Sequence, residues 1–312
     1  MRVFDKASFK FLRIRKRGYV VSGILVTVGL VSIILRGGLN AGVEFTGGTL
    51  LEVQFQTSTD IAEIRDALTN AQISGAQIQQ LRGIGEVSQD YLLRVPTSAD
   101  DAGEDEVRSE VETALASSFG PNFEIVRGDA MTAKVGGEFQ RKAVLAVLLS
   151  FLLTLIYLAF RFEWLFGVSA VVATVHDMMI TFGFISLLGF EISLATVAAI
   201  LTIIGYSLND TIVVFDRVRE NLKKKRKESY EETLDRSLNE TLPRTVLTSG
   251  TTLIALAALA LIGGTVIRPF ATVLILGVAI GTYSSILVAS PVLLELHERA
   301  RRRAASAAHA AG

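Results

Sequence analysis

Six long apolar stretches, Tyr19–Leu35, Ala143–Phe160, Trp164–Phe190, Ile192–Phe215, Val246–Ile262 and Phe270–Leu294, limit what this chain can become. A bilayer core about 30 Å thick asks for about 20 consecutive apolar residues in a spanning helix, and each stretch approaches or exceeds that length. Half of the 312 residues are hydrophobic and the mean hydropathy is +0.45. The expected fold is therefore a polytopic α-helical membrane protein with six transmembrane helices.

What lies between the spans sets the organisation. Residues 1–18 form a basic N-terminus and 19–36 the first helix; residues 37–140 are polar, and 141–298 hold helices 2–6 with a basic loop at 217–243. Residues 299–312 are a second basic tail. A basic segment followed by an apolar run also fits a cleavable signal peptide, but the run exceeds a typical signal core and the cleavage pattern after Leu35 is weak. Threading six spans puts both termini, the Arg161 turn and the Lys223–Lys227 cluster on one side, which the positive-inside rule makes the cytoplasm.

The polar region alternates its grammar. Thr49–Gln56, Ala76–Arg82, Asp90–Val95 and Phe123–Arg127 read as strands, and Asp60–Gln72 and Asp101–Ser118 as amphipathic helices. The order β-α-β-β-α-β predicts one small α+β ferredoxin-like domain between helices 1 and 2, on the periplasmic side. Between Asn40 and Gln140 it holds seventeen Asp and Glu against six Lys and Arg, which argues against nucleic acid as a partner.

The chain has no cysteine, its three histidines are scattered, and no catalytic or phosphate-binding motif is visible. An enzyme is not expected, and neither is a metal or cofactor site. Work done by such a chain draws on an ion gradient or a partner.

The exceptional chemistry lies inside the spans. Asn209 and Asp210 stand near the end of an apolar run, where a carboxylate costs about 2.5–3.5 kcal/mol on insertion scales and faces a protein interior. Counting back from Asp216 puts Asp210 roughly 9 Å inside the cytoplasmic end of its span. Ser207 flanks it. Asp210 could handle a proton or could tie helices together by a hydrogen bond. Arg244 is the natural counter-charge, with Thr248 and Thr252 on its face and Ser249 beside it; alone it also reads as a snorkelling surface residue. His176 and Asp177 lie near mid-membrane as a dyad that could relay protons or cross-link helices. Gly277, Gly281 and Ser285 form a small-residue ladder suited to close helix packing.

These residues resemble the SecF family of the bacterial protein-export machinery. The resemblance rests on Gly205–Asn221, on Val43-Glu44-Phe45-Thr46-Gly47-Gly48-Thr49 after the first span, and on Arg161-Phe162-Glu163-Trp164 and His176-Asp177. Thr248-Ser249-Gly250-Thr251-Thr252 and Gly281-Thr282-Tyr283-Ser284-Ser285 complete it, while Gly128–Glu138 departs from the family's Gly-Pro-containing junction.

The resemblance implies a resistance-nodulation-division superfamily member in the bacterial inner membrane. It would pair with SecD and associate with SecYEG, and with YajC and YidC, to couple the proton-motive force to preprotein translocation. It implies that Asp210 and Arg244 belong to the proton pathway with Asn209, and that SecD contributes a further aspartate. In the implied cycle, protonating Asp210 releases Arg244, shifts helices and reorients the 37–140 domain about a hinge at Gly47 and Gly48. Rival expectations are a small-solute efflux transporter of the same superfamily and a non-motor scaffold of the translocon.

Overall fold

A computed structural model describes residues 8–73, 75–81, 89–95, 104–131, 133–224 and 228–310. The expected Gly-Ile-Gly turn at 83–85, the helix start at Asp101 and the run Lys225–Lys227 lie outside the described residues. The chain divides into two compact units, residues 41–145 and residues 1–40 with 146–312.

In the smaller unit, a single helical turn α2 (Val43–Thr46) leads through Gly47 and Gly48 into β1 (Gly48–Phe55). Both glycines have positive φ, +76° and +119°, where a side chain would be strained. There follow α3 (Ile61–Asn70), β2 (Gln77–Leu81), β3 (Asp90–Val95), α4 (Glu104–Phe119) and β4 (Phe123–Met131). The strands form one sheet in the order β2-β3-β1-β4, antiparallel throughout.

Period-two alternation drives this fold. Leu51, Val53 and Phe55 point to one face of β1 and pack with Tyr91 and Leu93 of β3 against Ile64 and Leu68 of α3 and Val111 of α4. Asp60 accepts from the Ala62 N–H at 3.0 Å and Glu63 reaches back to the Asp60 N–H, a capping box that starts α3 one residue after the aspartate. The buried Tyr91 phenol donates to the Thr59 carbonyl, and burial pushes its ionisation above the ordinary tyrosine value.

The larger unit is helical. Its elements are α1 (Arg15–Leu35), α5 (Ala133–Arg161, begun in the smaller unit), α6 (Trp164–Leu188), α7 (Leu194–Lys223) and α8 (Tyr230–Ile262). Then α9 (Gly264–Ser284), a π-helical turn (Ser285–Ala289) and α10 (Ser290–Ala310) make one continuous rod. Six helices among the described residues are long and apolar enough to cross a membrane.

Of the basic loop expected over 217–243, residues 217–223 and 230–243 are helix instead. Turns of α7 run on to Lys223, and α8 starts at Tyr230 because Ser229 and Glu232 form a capping box, Ser229 Oγ accepting from the Glu232 N–H at 3.2 Å. Pro243 sits inside α8; it lacks one N–H, yet the helix continues through it. The junction at Gly128–Glu138 likewise differs from its expected form: β4 runs to Met131 and α5 begins at Ala133, ten residues before the apolar run. The 299–312 tail continues α10 as helix to Ala310.

Close packing of α1 on α6 rests on glycine. A Cβ on Gly29 would lie 2.7 Å from the Gly183 Cα, and one turn on, Ser32 and Ser186 share a hydrogen bond at 2.9 Å.

A candidate proton site built from hydroxyls

Four elements converge on two carboxylates. Asp177 lies at the middle of α6 and is fully buried, and Asp210 on α7 is 6% exposed. Ser207, one turn before Asp210 on the same face of α7, turns its hydroxyl to Asp177 Oδ2. Ser284 donates to the same oxygen at 2.7 Å, and His176 Nδ1 lies 2.8 Å from Oδ1. Asp210 has its own donors: Thr245 Oγ1 at 2.8 Å to Oδ1 and Ser285 Oγ at 2.6 Å to Oδ2.

Glycine on α9 makes this possible. A Cβ on Gly277 would come 2.2 Å from the Ile203 side chain, and one on Gly281 would come 2.9 Å from the Ser207 Cβ. The expected packing role of Gly277 and Gly281 is thus seen at α7, whose approach places Ser284 and Ser285 within hydrogen-bond reach of two different helices. Ser285, expected only as a packing residue, is a donor to Asp210. It also opens the π-helical turn, and Ser290 Oγ donates back to its carbonyl at 3.0 Å. Widened turns of this kind recur where a helix serves a functional site.

Arg244 is arranged otherwise than an ion pair requires. Its side chain is exposed, and no ion pair joins it to Asp210 among the described residues. Thr245, the next residue, takes that place. Thr233, Ser237, Thr241, Thr245 and Ser249 recur every four residues along α8 and all are buried. The first three bond back to carbonyls of their own helix at 3.0, 2.7 and 3.0 Å. Thr245 and Ser249 point outward instead, Ser249 meeting Thr282 at 2.7 Å and accepting from Tyr206 at 3.3 Å. This four-residue repeat is visible in the sequence, beside the more conspicuous Arg244-Thr248-Thr252 face.

That face does not enter the site. Thr248 is exposed and Thr252 half-buried, and their hydroxyls bond to carbonyls within α8 at 2.9 Å each. Asn209 is also exposed, directed away from the Asp210 donors. The structure therefore brings together His176, Asp177, Ser207, Asp210 and Ser285, adds Thr245 and Ser284, and leaves Asn209, Arg244, Thr248 and Thr252 on or near the outer surface of this chain. Ser249 belongs to a flanking hydroxyl pair.

Known proteins share this arrangement of sequence. A family profile described as protein export membrane protein SecD/SecF, C-terminal, matches residues 110–299, and the SecD/SecF GG motif matches residues 33–59. The chain is 46% identical over 305 residues to the protein translocase subunit SecF of Gemmatimonas aurantiaca, covering 96% of this chain and 90% of that protein. With the protein of the same description from Vibrio alginolyticus it shares 41% over 286 residues, covering 92% of this chain and 89% of that one. The crystal structure of SecDF, a translocon-associated membrane protein from Thermus thermophilus, superposes with a TM-score of 0.84 at 36% identity. That superposition covers 96% of this chain and 40% of the longer one. A structure of SecDF in a super-membrane-facing form gives a TM-score of 0.66 at 35% identity, with the same coverage.

Proposed function

The chain belongs to the SecD/SecF family of protein-export membrane proteins, and on that premise we propose that it is a SecF subunit that couples the proton-motive force to preprotein translocation across the bacterial inner membrane. The observation that carries the mechanism is the setting of Asp210, a buried carboxyl group held by two neutral hydroxyls, with no cation at ion-pair distance among the described residues.

A hydroxyl is both donor and acceptor, and its proton rotates. Thr245 and Ser285 can therefore donate to an ionised Asp210 or accept from a protonated one, so either charge state keeps its hydrogen bonds. Only the ionised state gains from a nearby cation. Arg244 adjoins Thr245 on the same helix, so a partial turn of α8 exchanges the hydroxyl for the guanidinium. Proton uptake at Asp210 favours the hydroxyl-held arrangement, and proton loss favours the arginine. One proton falling through 100 mV releases about 2.3 kcal/mol, comparable with the few kcal/mol that separate two helix arrangements.

The polar groups left outside this chain's core, Asn209 and Thr248 above all, favour a second protein against these helices, with SecD as the partner and SecYEG, YajC and YidC in the wider assembly. The smaller unit, whose strand order and connections are those of a ferredoxin-like fold, works on the periplasmic side with both termini in the cytoplasm. Gly47 and Gly48 serve as its hinge. No cofactor is required beyond the proton gradient, and no chemical reaction is catalysed.

A preprotein chase in inverted membrane vesicles, with and without an uncoupler, tests this reading. Asp210→Asn and Arg244→Met are expected to remove the uncoupler-sensitive part of the chase while the assembled complex persists. If both variants chase like wild type, the motor reading fails and a scaffold role remains.

A further inference from the structure

The site holds more acid than one proton switch requires. Asp177 is as dry as any residue in the chain, and its three hydrogen bonds come from Ser207, Ser284 and His176. The imidazole lies beside the Tyr283 ring, with centroids 6.4 Å apart and planes 26° from parallel, and its side chain is only 11% exposed. Nε2, the ring nitrogen turned away from Asp177, is buried and has no hydrogen-bond partner. A buried polar nitrogen without a partner is costly and marks a position with work to do.

We propose that His176 and Asp177 form a second proton-binding site, which takes up one proton at Nε2 and is coupled to Asp210 through Ser284 and Ser285. In the empty state Nδ1–H donates to the Asp177 carboxylate and Nε2 carries a lone pair, so the dyad bears one negative charge. A proton arriving at Nε2 makes imidazolium and carboxylate, a neutral pair; its departure restores the charge. No other bond changes. This rests on the proton-coupled reading above and deepens it.

Geometry supplies the coupling. Ser284 and Ser285 are consecutive at the start of the π-helical turn, yet one donates to α6 and the other to α7. Ser207 adds a second link, since it bonds to Asp177 while standing one turn from Asp210. Any change of partner at Asp210 that frees Ser285 pulls on the residue that holds Asp177. The titratable groups facing His176 are Asp177 on its own helix and Tyr283 on α9, with Asp210 behind the serines on α7. From α1 come only the Ser22 hydroxyl and the Gly18 carbonyl, both bonded to the Tyr283 hydroxyl, at 3.2 and 2.8 Å.

Infrared difference spectra of the full-length chain carrying ring-15N histidine, recorded across a pH step, test this directly. Wild type is expected to give a buried-imidazole signal that His176→Gln removes and that survives in His297→Gln. Replacing Asp210 by Asn removes the change of charge that Ser285 relays, and is expected to shift the midpoint of proton binding at the dyad about threefold. Asp177→Asn, which keeps acceptors for both serines, is expected to abolish the signal while the protein stays folded. The proposal is overturned if His176→Gln leaves the imidazole spectrum unchanged, or if Asp210→Asn leaves its pH midpoint where it was. Because this readout needs no export activity, it can fail while the Asp210 chase result stands, or succeed while that result fails.

Discussion

The C-terminal third of α7 and its middle handle carboxylates in opposite ways. In its C-terminal third, Arg217 binds Glu240 and Glu220 at 2.6 Å each, Lys224 binds Glu220 at 2.8 Å, and Asp216 binds Arg161 at 2.5 Å. Two turns further in, the hydrogen bonds of Asp210 and the neighbouring Asp177 among the described residues come from hydroxyls and one imidazole. An ion pair favours the charged form of both its partners. Hydroxyls impose neither form, since they serve an acid and its conjugate base alike. One stretch of helix thus anchors the bundle, and the next keeps its charge free to change.

The largest break in that contrast should come from Gly277→Leu. With no room for a Cβ beside Ile203, α9 is forced from α7, and both serines are withdrawn from their carboxylates. We expect a loss of about 3 kcal/mol of stability in a denaturant titration of the membrane complex, together with loss of the chase. Ser285→Ala is milder, removing one donor from a buried carboxyl group at a cost of about 1–3 kcal/mol. Its diagnostic effect is on coupling: the uncoupler-sensitive chase should fall severalfold, whereas Ser285→Thr should restore it. Thr245→Val should act likewise, by about 1 kcal/mol.

The smallest effect is expected at the paired end. Arg217→Ala breaks two ion pairs whose side chains are a third to a half exposed, and should cost less than about 1 kcal/mol while leaving the chase intact. High salt sharpens the distinction. Raising ionic strength from about 0.1 to about 1 M shortens the Debye length from about 10 to about 3 Å, which should erase the Arg217 effect and leave the Ser285 effect unchanged.

How much of this was legible follows from which forces were local. The spans and the order β-α-β-β-α-β could be read because hydrophobic period and turn chemistry act along the chain; Asp90–Val95 forms a strand with the bounds expected. The charges of 217–243 resemble those of a loop, although Ser229-Tyr230-Glu231-Glu232 spells the helix start that the capping box makes. Asp210 stood out as a carboxylate in an apolar run, but its partners come from 35 and 75 residues away. Choosing Thr245 over Arg244 depends on how α8 is rotated about its own axis, and the choice of Ser285 depends on a π-helical turn. Neither is set by residues near them in sequence.

The central claim is that Asp210 exchanges a proton inside the bundle without needing a fixed cation. Infrared difference spectroscopy of the complex in its native membrane, taken across a pH step, measures that exchange at the carboxyl group itself. The account predicts a carboxylic-acid stretch that vanishes as pH rises, is absent in Asp210→Asn, and shifts in Ser285→Ala as its hydrogen bond is lost. A wild-type spectrum indistinguishable from that of Asp210→Asn across the working pH range would contradict it.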